Sequence, residues 1–241
     1  MNKIIVIVGP TGIGKTKLSV ELAKRIDAEI INGDSVSIYK DLNIGSAKPS
    51  IEERCGIVHH MIDICDINDE YNVYNYQSDG RKVIEDIKSR NKNIIIVGGT
   101  GLYVKGLLFD YKFDSSDGKD KLLYPAIFIG LDTDRDLLYK RINDRVDYMI
   151  NNGLLDEVNN LKKYYSTSRI LNSAIGYKEF NMNLDIDDTV ELIKKNSRHY
   201  AKRQYTFFKH QFDIKWFNVD FNNFNNTIDE VYEYIKNFYF I

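Results

Sequence analysis

The chain has 241 residues, of which 43% are hydrophobic and 28% charged, a balance that excludes wholesale disorder and suits one globular domain. Its formal net charge is -2, so any surface that binds nucleic acid has to be a local basic patch. Two cysteines exclude a disulfide framework and a four-cysteine zinc site, and no apolar run reaches the roughly 20 residues that cross a bilayer. We therefore expect no membrane partner, and because a strand begins at Ile4 with no room for a targeting peptide, we expect a cytoplasmic protein.

Predicted strands and helices alternate along most of the chain. Runs of β-branched and apolar residues predict strands at 4–8, 29–32, 93–97, 126–131 and 214–219. Apolar residues at helical spacing predict helices at 17–26, 73–88, 100–109, 134–150, 154–164, 187–209 and 227–238. We expect the segment 40–70 to be irregular and the polar, turn-rich segment 110–121 to be a mobile surface loop. The alternation predicts a single domain over 1–241, a three-layer α/β/α fold with a mostly parallel sheet.

The first predicted strand leads directly into Gly9–Thr16, whose sequence GPTGIGKT fits G-x-x-x-x-G-K-[ST] without a gap. Glycines let backbone N–H groups converge on phosphate oxygens, and the start of the next helix adds a positive dipole. Lys15 supplies a charge to the terminal phosphate, and the Thr16 hydroxyl can ligate Mg²⁺. We predict Mg²⁺ as cofactor, Thr16 as its protein ligand, and a diphosphate site formed by Gly9, Thr11, Gly12, Ile13, Gly14, Lys15 and Thr16.

This P-loop motif predicts a polyphosphate ligand without identifying it. Many P-loop enzymes place an Mg²⁺-organising Asp at the end of a later strand. Here the corresponding strand, Ile94–Val97, ends in Gly98-Gly99 instead. The ATPase and GTPase interpretations are weakened, which leaves small-molecule kinases and transferases that release pyrophosphate.

Two further segments follow predicted strands and should face the same crevice, because ligands bind at the carboxyl ends of parallel strands. Asp34 follows the second strand, where its carboxylate can act as a general base or reach a metal. Asp34 and Ser35 also suit a helix N-cap, so position alone leaves both roles open. The run Gly98–Gly101 follows another strand and can form a second site of backbone N–H groups, with Thr100 placed to contact phosphate or substrate.

The order of these segments resembles the tRNA dimethylallyltransferase family. GGTGLY, IGYKE and AKRQ make the resemblance specific when they occur together. The matching stretches are GPTGIGKT at 9–16, DSVSIY at 34–39, IGSAKP at 44–49, HHMID at 59–63, VYNYQ at 73–77, IIIVGGTGLY at 94–103, LLYKRINDRVDYMINNGLLDEV at 137–158, AIGYKEF at 174–180 and SRHYAKRQYTFF at 197–208.

The resemblance implies a reaction and its partners. Dimethylallyl diphosphate would donate its dimethylallyl group to the exocyclic amine (N6) of the adenosine immediately 3′ of the anticodon in tRNA, and pyrophosphate would leave. The resemblance makes Asp34 the general base, places Thr100 against the tRNA, and has Arg141 help to hold the diphosphate. These three are the predicted catalytic residues of an enzyme that we expect to be a monomer and to bind the anticodon stem-loop. The acceptor base has to leave its stack to reach such a site.

The predicted helix 187–209 carries a local basic surface. Between Lys194 and Gln211 there are six Lys or Arg residues and no Asp or Glu. A run of charge is usually only a solvated face, but this imbalance in a chain of net charge -2 favours contact with nucleic acid. With the resemblance, tRNA contact is predicted for Asp34, Ser35, Val36, Ser37, Thr100, Arg198, Lys202 and Arg203.

The chain departs from the family pattern at four places. Family members usually carry a long helical insertion, and here only residues 104–124 are available for it. Ser37 and Ser173 stand where the family usually has Gln, and Phe207 stands at a usual Trp. These departures leave three alternatives open: transfer to free AMP or ADP, an ATP-dependent small-molecule kinase, and a paralogue that binds RNA without catalysis.

Overall fold

The computed structural model describes residues 4–111 and 120–239. Most of the predicted mobile loop at 110–121 therefore lies outside the described residues. The strands are β1 (Ile4–Val8), β2 (Ala28–Asn32), β3 (His59–His60), β4 (Asn93–Val97), β5 (Ala126–Asp132) and β6 (Lys215–Asn218). The helices are α1 (Lys15–Ile26), α2 (Ile51–Arg54), α3 (Val73–Ser89), α4 (Gly101–Leu108), α5 (Arg135–Asn151), α6 (Leu154–Tyr165), α7 (Ile186–Gln211) and α8 (Phe224–Tyr239), with a 3₁₀ turn at Lys178–Asn181.

The strands form one sheet in the order β3-β2-β4-β1-β5-β6, and each of these pairings is parallel. β1 lies inside the sheet and is buried along its whole length, as its β-branched sequence predicts. Successive side chains of β1 point to opposite faces, so Ile5 and Ile7 pack into one core while Val6 and Val8 pack into another. Helices cover both faces, which confirms the predicted α/β fold.

The prediction that 40–70 is irregular was wrong at two short elements. β3 adds two residues to the edge of the sheet beside β2, with Ile30 paired to His59 and Ile31 to His60. α2 is a single turn that Ser50 caps: its hydroxyl accepts a hydrogen bond from the Glu53 N–H, and Glu53 accepts one from the Ser50 N–H. Elements of two and four residues are too short to show a hydrophobic period.

Three loops converge at the carboxyl edge of the sheet. They follow β1, β2 and β4, and they carry the P-loop, Asp34 and the Gly98–Gly101 run. The last two approach closely, because a Cβ atom on Gly98 would lie only 2.2 Å from the Gly33 carbonyl oxygen. A glycine is therefore required at 98, and the topology brings all three predicted motifs to one place. In the described part of the chain, no helix is long and apolar enough to cross a membrane.

Candidate active site

The P-loop turns sharply into α1. Gly12 and Gly14 have φ values of +79° and +101°, in the left-handed region that glycine adopts without strain, and Gly14 is the residue before the helix. Lys15 Nζ reaches back and donates hydrogen bonds to the carbonyl oxygens of Gly9 (2.9 Å) and Pro10 (2.8 Å). The loop thus presents the N-terminus of a twelve-residue helix and one ammonium group to the same crevice.

Asp34 uses one carboxylate oxygen as a cap. Its Oδ1 accepts hydrogen bonds from the N–H groups of Val36 (2.8 Å) and Ser37 (3.3 Å). Within the described residues, Oδ2 forms no hydrogen bond. The two roles that the sequence left open therefore do not compete, because one oxygen fixes the local turn and the second is available to a ligand.

Thr100 acts on this turn from the neighbouring loop. Its Oγ1 accepts a hydrogen bond from the Ser35 N–H (3.1 Å) and donates one to Ser35 Oγ (3.3 Å). Thr100 is absent from the lining of both cavities described below. The observed contacts make it a positioning residue for the Asp34 turn, and its predicted contact with tRNA stays a prediction.

Gln204 of α7, which the sequence analysis did not single out, joins two loops of the site. Its side chain is only 4% exposed. Oε1 accepts a hydrogen bond from the Thr11 N–H (2.9 Å), and Nε2 donates one to the Gly99 carbonyl (3.0 Å). The oxygen and the nitrogen of the side-chain amide are thereby both used to hold the P-loop against the second glycine turn. The only signal in the sequence was its place in the AKRQ stretch.

Two arginines of α5 approach the P-loop in different ways. Arg141, the predicted diphosphate residue, donates from Nε to the Gly12 carbonyl (3.1 Å), and its guanidinium lies over the Phe221 ring at 3.9 Å. Arg145, which was not predicted, donates to Thr11 Oγ1 (2.9 Å). Arg145 lies one helical turn after Arg141, and this i, i+4 spacing is the signal that could have identified it.

The pKa of Lys15 is lowered to about 7 in this setting. Burial is the largest cause, the positive charge of Arg145 adds to it, and Asp34 opposes it. Burial also lowers the pKa of Arg145. Two cations held close together in a poorly hydrated crevice favour the binding of an anion such as a diphosphate.

Two cavities meet at Asp34. The larger, about 1130 Å³, runs along the P-loop and is lined by Lys15, Thr16 and Arg141. The smaller, about 310 Å³, lies beside α5 and α7 and is lined by Val146 and Ile193 as well as by Arg145 and Arg203. The residues that line both are Thr11, Asp34, Ser46, Ala47, Arg145, Met149 and Tyr200.

Three of the matching stretches meet at one carboxylate. Glu157 of α6 accepts hydrogen bonds from the N–H groups of Asn43, Ile44 and Gly45, and from the Tyr177 hydroxyl at 2.7 Å. It thereby anchors the loop that carries IGSAKP, and Ser46 and Ala47 of that loop line both cavities. Glu157 and Tyr177 therefore hold a loop that lines the site, although neither residue lines a cavity itself.

The predicted tRNA-contacting residues are spread around the smaller cavity and α7. Ser35, Val36 and Arg203 line the smaller cavity, whereas Ser37 lines only the larger one. Lys202 and Arg203 are exposed, and Arg198 is partly buried and donates to Asn143 Oδ1 at 2.6 Å. Not every cation of the basic run is available to nucleic acid. Lys194 forms ion pairs with Asp147 (2.8 Å) and Glu191 (2.9 Å).

Known proteins resemble this chain over nearly its whole length. The family model described as IPP transferase matches residues 37–123 and 112–211. A tRNA dimethylallyltransferase from Anoxybacillus flavithermus is 36% identical over 300 residues, covering 98% of this chain and 96% of that protein. One from Oenococcus oeni is 41% identical over 231 residues, covering 90% of each.

Solved structures agree with the sequence comparison. The tRNA delta(2)-isopentenylpyrophosphate transferase of Staphylococcus epidermidis has a TM-score of 0.90 at 33% identity, covering 98% of this chain and 99% of that chain. A eukaryotic dimethylallyltransferase acting on tRNA has a TM-score of 0.84 at 26% identity, covering 98% of this chain and 80% of that chain.

The comparisons also show a difference in length. The A. flavithermus alignment has 300 positions, 59 more than the 241 residues of this chain, so that relative carries at least 59 residues without a counterpart here. The alignment with the O. oeni relative covers 90% of both chains in only 231 positions, so the length of that relative is similar to that of this chain. Because the family model matches most of the chain and curated relatives match nearly all of it, the chain belongs to the IPP transferase family.

Proposed function

We propose that this chain transfers the dimethylallyl group of dimethylallyl diphosphate to N6 of the adenosine immediately 3′ of the anticodon in tRNA. The observation that carries the proposal is Oδ2 of Asp34, which has no hydrogen-bond partner among the described residues and lies where the cavity along the P-loop meets the smaller cavity beside α5 and α7. Membership of the IPP transferase family and the names of the relatives support the same reaction. Because one chain lines both cavities, we propose that the enzyme acts as a monomer. We also propose that the reaction takes place in the cytoplasm.

The donor would lie with its diphosphate on the P-loop. Backbone N–H groups at the start of α1, together with Lys15 and Arg145, can stabilise the negative charge that grows on the leaving pyrophosphate. Arg141 contributes less directly, because it holds the Gly12 carbonyl and thus the shape of the loop. These residues favour breakage of the bond between the allylic carbon and its phosphate oxygen.

The acceptor adenine would enter the smaller cavity. Its volume, about 310 Å³, suits a single base, and the base reaches it by leaving the stacked anticodon loop. The amine nitrogen forms the new bond to the allylic carbon while Asp34 Oδ2 accepts the displaced proton. Oδ1 stays hydrogen-bonded to Val36 and Ser37, so the Asp34 carboxylate keeps its orientation during the transfer.

Magnesium fits the residues that are present. Thr16 lines the larger cavity beside Lys15. No group of three or more His, Cys, Asp or Glu residues could hold a metal ion within the described ranges. Mg²⁺ commonly binds through few protein ligands and the phosphates of a substrate, so Thr16 and the donor would hold it together. When bound, the ion would neutralise charge on the diphosphate.

Labelled donor distinguishes this function from its alternatives. The protein is incubated with Mg²⁺, dimethylallyl diphosphate labelled in its allyl group, and either bulk tRNA or AMP. We expect label in tRNA, which the O. oeni relative of similar length also favours. Label in AMP would instead support a free-nucleotide acceptor, which the shorter chain favours, and label in neither would reject both.

A further inference from the structure

One aromatic side chain lies where the two cavities meet. Of the described residues that line both cavities, Tyr200 of α7 alone carries an aromatic ring. Ala47 and Met149 are the other apolar members of this set, and the remaining members are polar or charged. Tyr200 is only partly buried, so part of its surface is accessible to a ligand at the junction.

Tyr200 is held beside the P-loop by its neighbours. It precedes Gln204 by one turn of α7, so the two side chains lie on the same face of the helix. Gln204 is itself fixed, because it forms hydrogen bonds with Thr11 and Gly99. The Arg203 guanidinium lies 5.6 Å from the centre of the Tyr200 ring. These contacts give the junction an ordered aromatic surface next to the loop on which the diphosphate would bind.

The Tyr200 hydroxyl carries no charge at neutral pH. Burial raises its pKa to about 12, the negative charge of Asp34 adds to this shift, and hydrogen bonding with Thr100 and Gln204 opposes it. A neutral side chain at this place does not repel a diphosphate, and it does not compete with Asp34 for the proton of the acceptor. Tyr200 is therefore suited to bind an uncharged, apolar group.

The proposed reaction brings such a group to the junction. The allylic carbon exchanges its bond to a phosphate oxygen for a bond to nitrogen. The phosphate would lie in the larger cavity with Lys15 and Thr16, and the amine would enter from the smaller one. The carbon then has to lie between them, beside Asp34. The methyl groups of the donor would reach the apolar side of the junction, where burial of their surface favours binding.

We propose that the Tyr200 ring binds the dimethylallyl group of the donor and so contributes affinity for the alkyl part of the ligand but not for its diphosphate. The proposal rests on the proposed function, since it takes an alkyl diphosphate to be the donor. It makes Tyr200 a specificity-determining residue. The P-loop recognises the diphosphate, and the ring recognises what the diphosphate carries.

Calorimetric titration with two ligands, in the presence of Mg²⁺ and without an acceptor, tests the proposal. One ligand is pyrophosphate, and the other is dimethylallyl thiolodiphosphate, an unreactive analogue of the donor. Tyr200→Ala should weaken binding of the analogue about tenfold, since the contact of its methyl groups with the ring is lost, and should change pyrophosphate binding by less than about twofold. Tyr200→Phe keeps the ring, so it should change either affinity by less than about threefold.

Tyr205→Ala is the matched control on the same helix. Tyr205 lines neither cavity, and its hydroxyl donates to Asp132 Oδ1 at 2.6 Å. Both affinities should stay as in the wild type. An equal loss for both ligands in Tyr200→Ala would mean that Tyr200 only supports the P-loop, and an unchanged affinity for the analogue would mean that the alkyl group binds elsewhere. Either result would overturn the proposal, as would a loss in Tyr200→Phe as large as that in Tyr200→Ala.

A second measurement does not depend on the folding of the alanine variant. Nuclear Overhauser effects are recorded between the methyl protons of the bound analogue and the ring protons of protein labelled at tyrosine. We expect a contact in the wild type that is lost in Tyr200→Phe, and its absence from the wild type or its persistence in the variant would contradict the proposal. Transfer of label to tRNA is measured separately. A protein that shows the predicted contact and affinities but transfers no label would reject the proposed function and leave this inference standing.

Discussion

The two oxygens of the Asp34 carboxylate separate a structural role from a chemical one. Asp34→Asn keeps an Oδ1 that can cap Val36 and Ser37, since Asn caps as well as Asp, but it removes the basic oxygen. We expect donor affinity to be retained and transfer to slow by about 10²–10⁴-fold, the range of a positioned acid–base group. Single-turnover transfer measures this change.

Asp34→Ala is the matched comparison for this variant. It removes the cap as well, so we expect a further loss of about 0.5–2 kcal/mol in the free energy of unfolding that the Asn variant does not show. An Asn variant that transfers within about threefold of the wild-type rate would reduce Asp34 to a cap.

Lys15 should couple donor binding to proton uptake. With a pKa of about 7, the Lys15 side chain is mostly neutral at pH 8.5 before the donor binds. A bound diphosphate raises that pKa, so binding at pH 8.5 takes up close to one proton, and affinity falls as pH rises above 7. The donor contributes no proton change there, because a terminal phosphate has its second pKa near 6.

Calorimetry at pH 8.5 in buffers of different ionisation enthalpy measures the number of protons taken up, with no acceptor present. At pH 6, where Lys15 is already charged in the free protein, the uptake assigned to it should vanish. Binding at pH 8.5 without proton uptake would mean that Lys15 is charged before the donor arrives.

Secondary-structure elements in this fold were predictable where the signal is local. The β-branched run of β1 and the glycines of the P-loop specify their own conformations, and both lie where the sequence predicts. β3 and the contacts of Gln204 depend on residues far away in the chain, so no local pattern reveals them.

Gln204 shows how α7 holds the site together. Gln204→Leu would leave the buried Gly99 carbonyl without a partner, at a cost of about 1–3 kcal/mol, with a smaller cost at the partly buried Thr11 N–H. We expect the Tm to fall by about 2–12 °C and donor affinity to weaken as the P-loop loosens. Thermal unfolding and donor titration measure these effects.

Gln204→Glu is the control for this contact. It keeps an acceptor for Thr11, but it buries a carboxylate against the Gly99 carbonyl, so its Tm at pH 7 should lie below that of Gln204→Leu. Unchanged Tm and donor affinity in Gln204→Leu would show that α7 does not support the P-loop.

The basic face of α7 should produce a salt-dependent affinity for RNA. If three to five phosphates are neutralised, a plot of log affinity against log salt should have a slope of about -2 to -4. Lys202→Ala and Arg198→Ala should each lower the magnitude of the slope by about one, with similar losses across RNA sequences. A salt titration with an anticodon stem-loop measures this.

Lys194→Ala provides the matched control on the same helix. Asp147 and Glu191 already neutralise Lys194, so its removal should leave the slope unchanged. Equal slopes in the wild type and Lys202→Ala would mean that this face is solvated and that RNA binds elsewhere.

The whole molecule combines an ungapped P-loop motif with a shorter chain than several relatives have. The motifs predicted the fold, the family and the position of Asp34, because each lies in a stretch that matches the family. They did not identify Arg145 or Gln204, which also lie in matching stretches but whose roles come only from what they contact.

The position of the transferred group tests the central claim most directly. The protein is incubated with dimethylallyl diphosphate, Mg²⁺ and unmodified tRNA, and the product is mapped by mass spectrometry of nuclease fragments and nucleosides. The account predicts one dimethylallyl group on N6 of the adenosine immediately 3′ of the anticodon, and none with Asp34→Asn on the same time scale. Modification of free AMP but not of tRNA, or an equal yield from the Asp34→Asn protein, would contradict it.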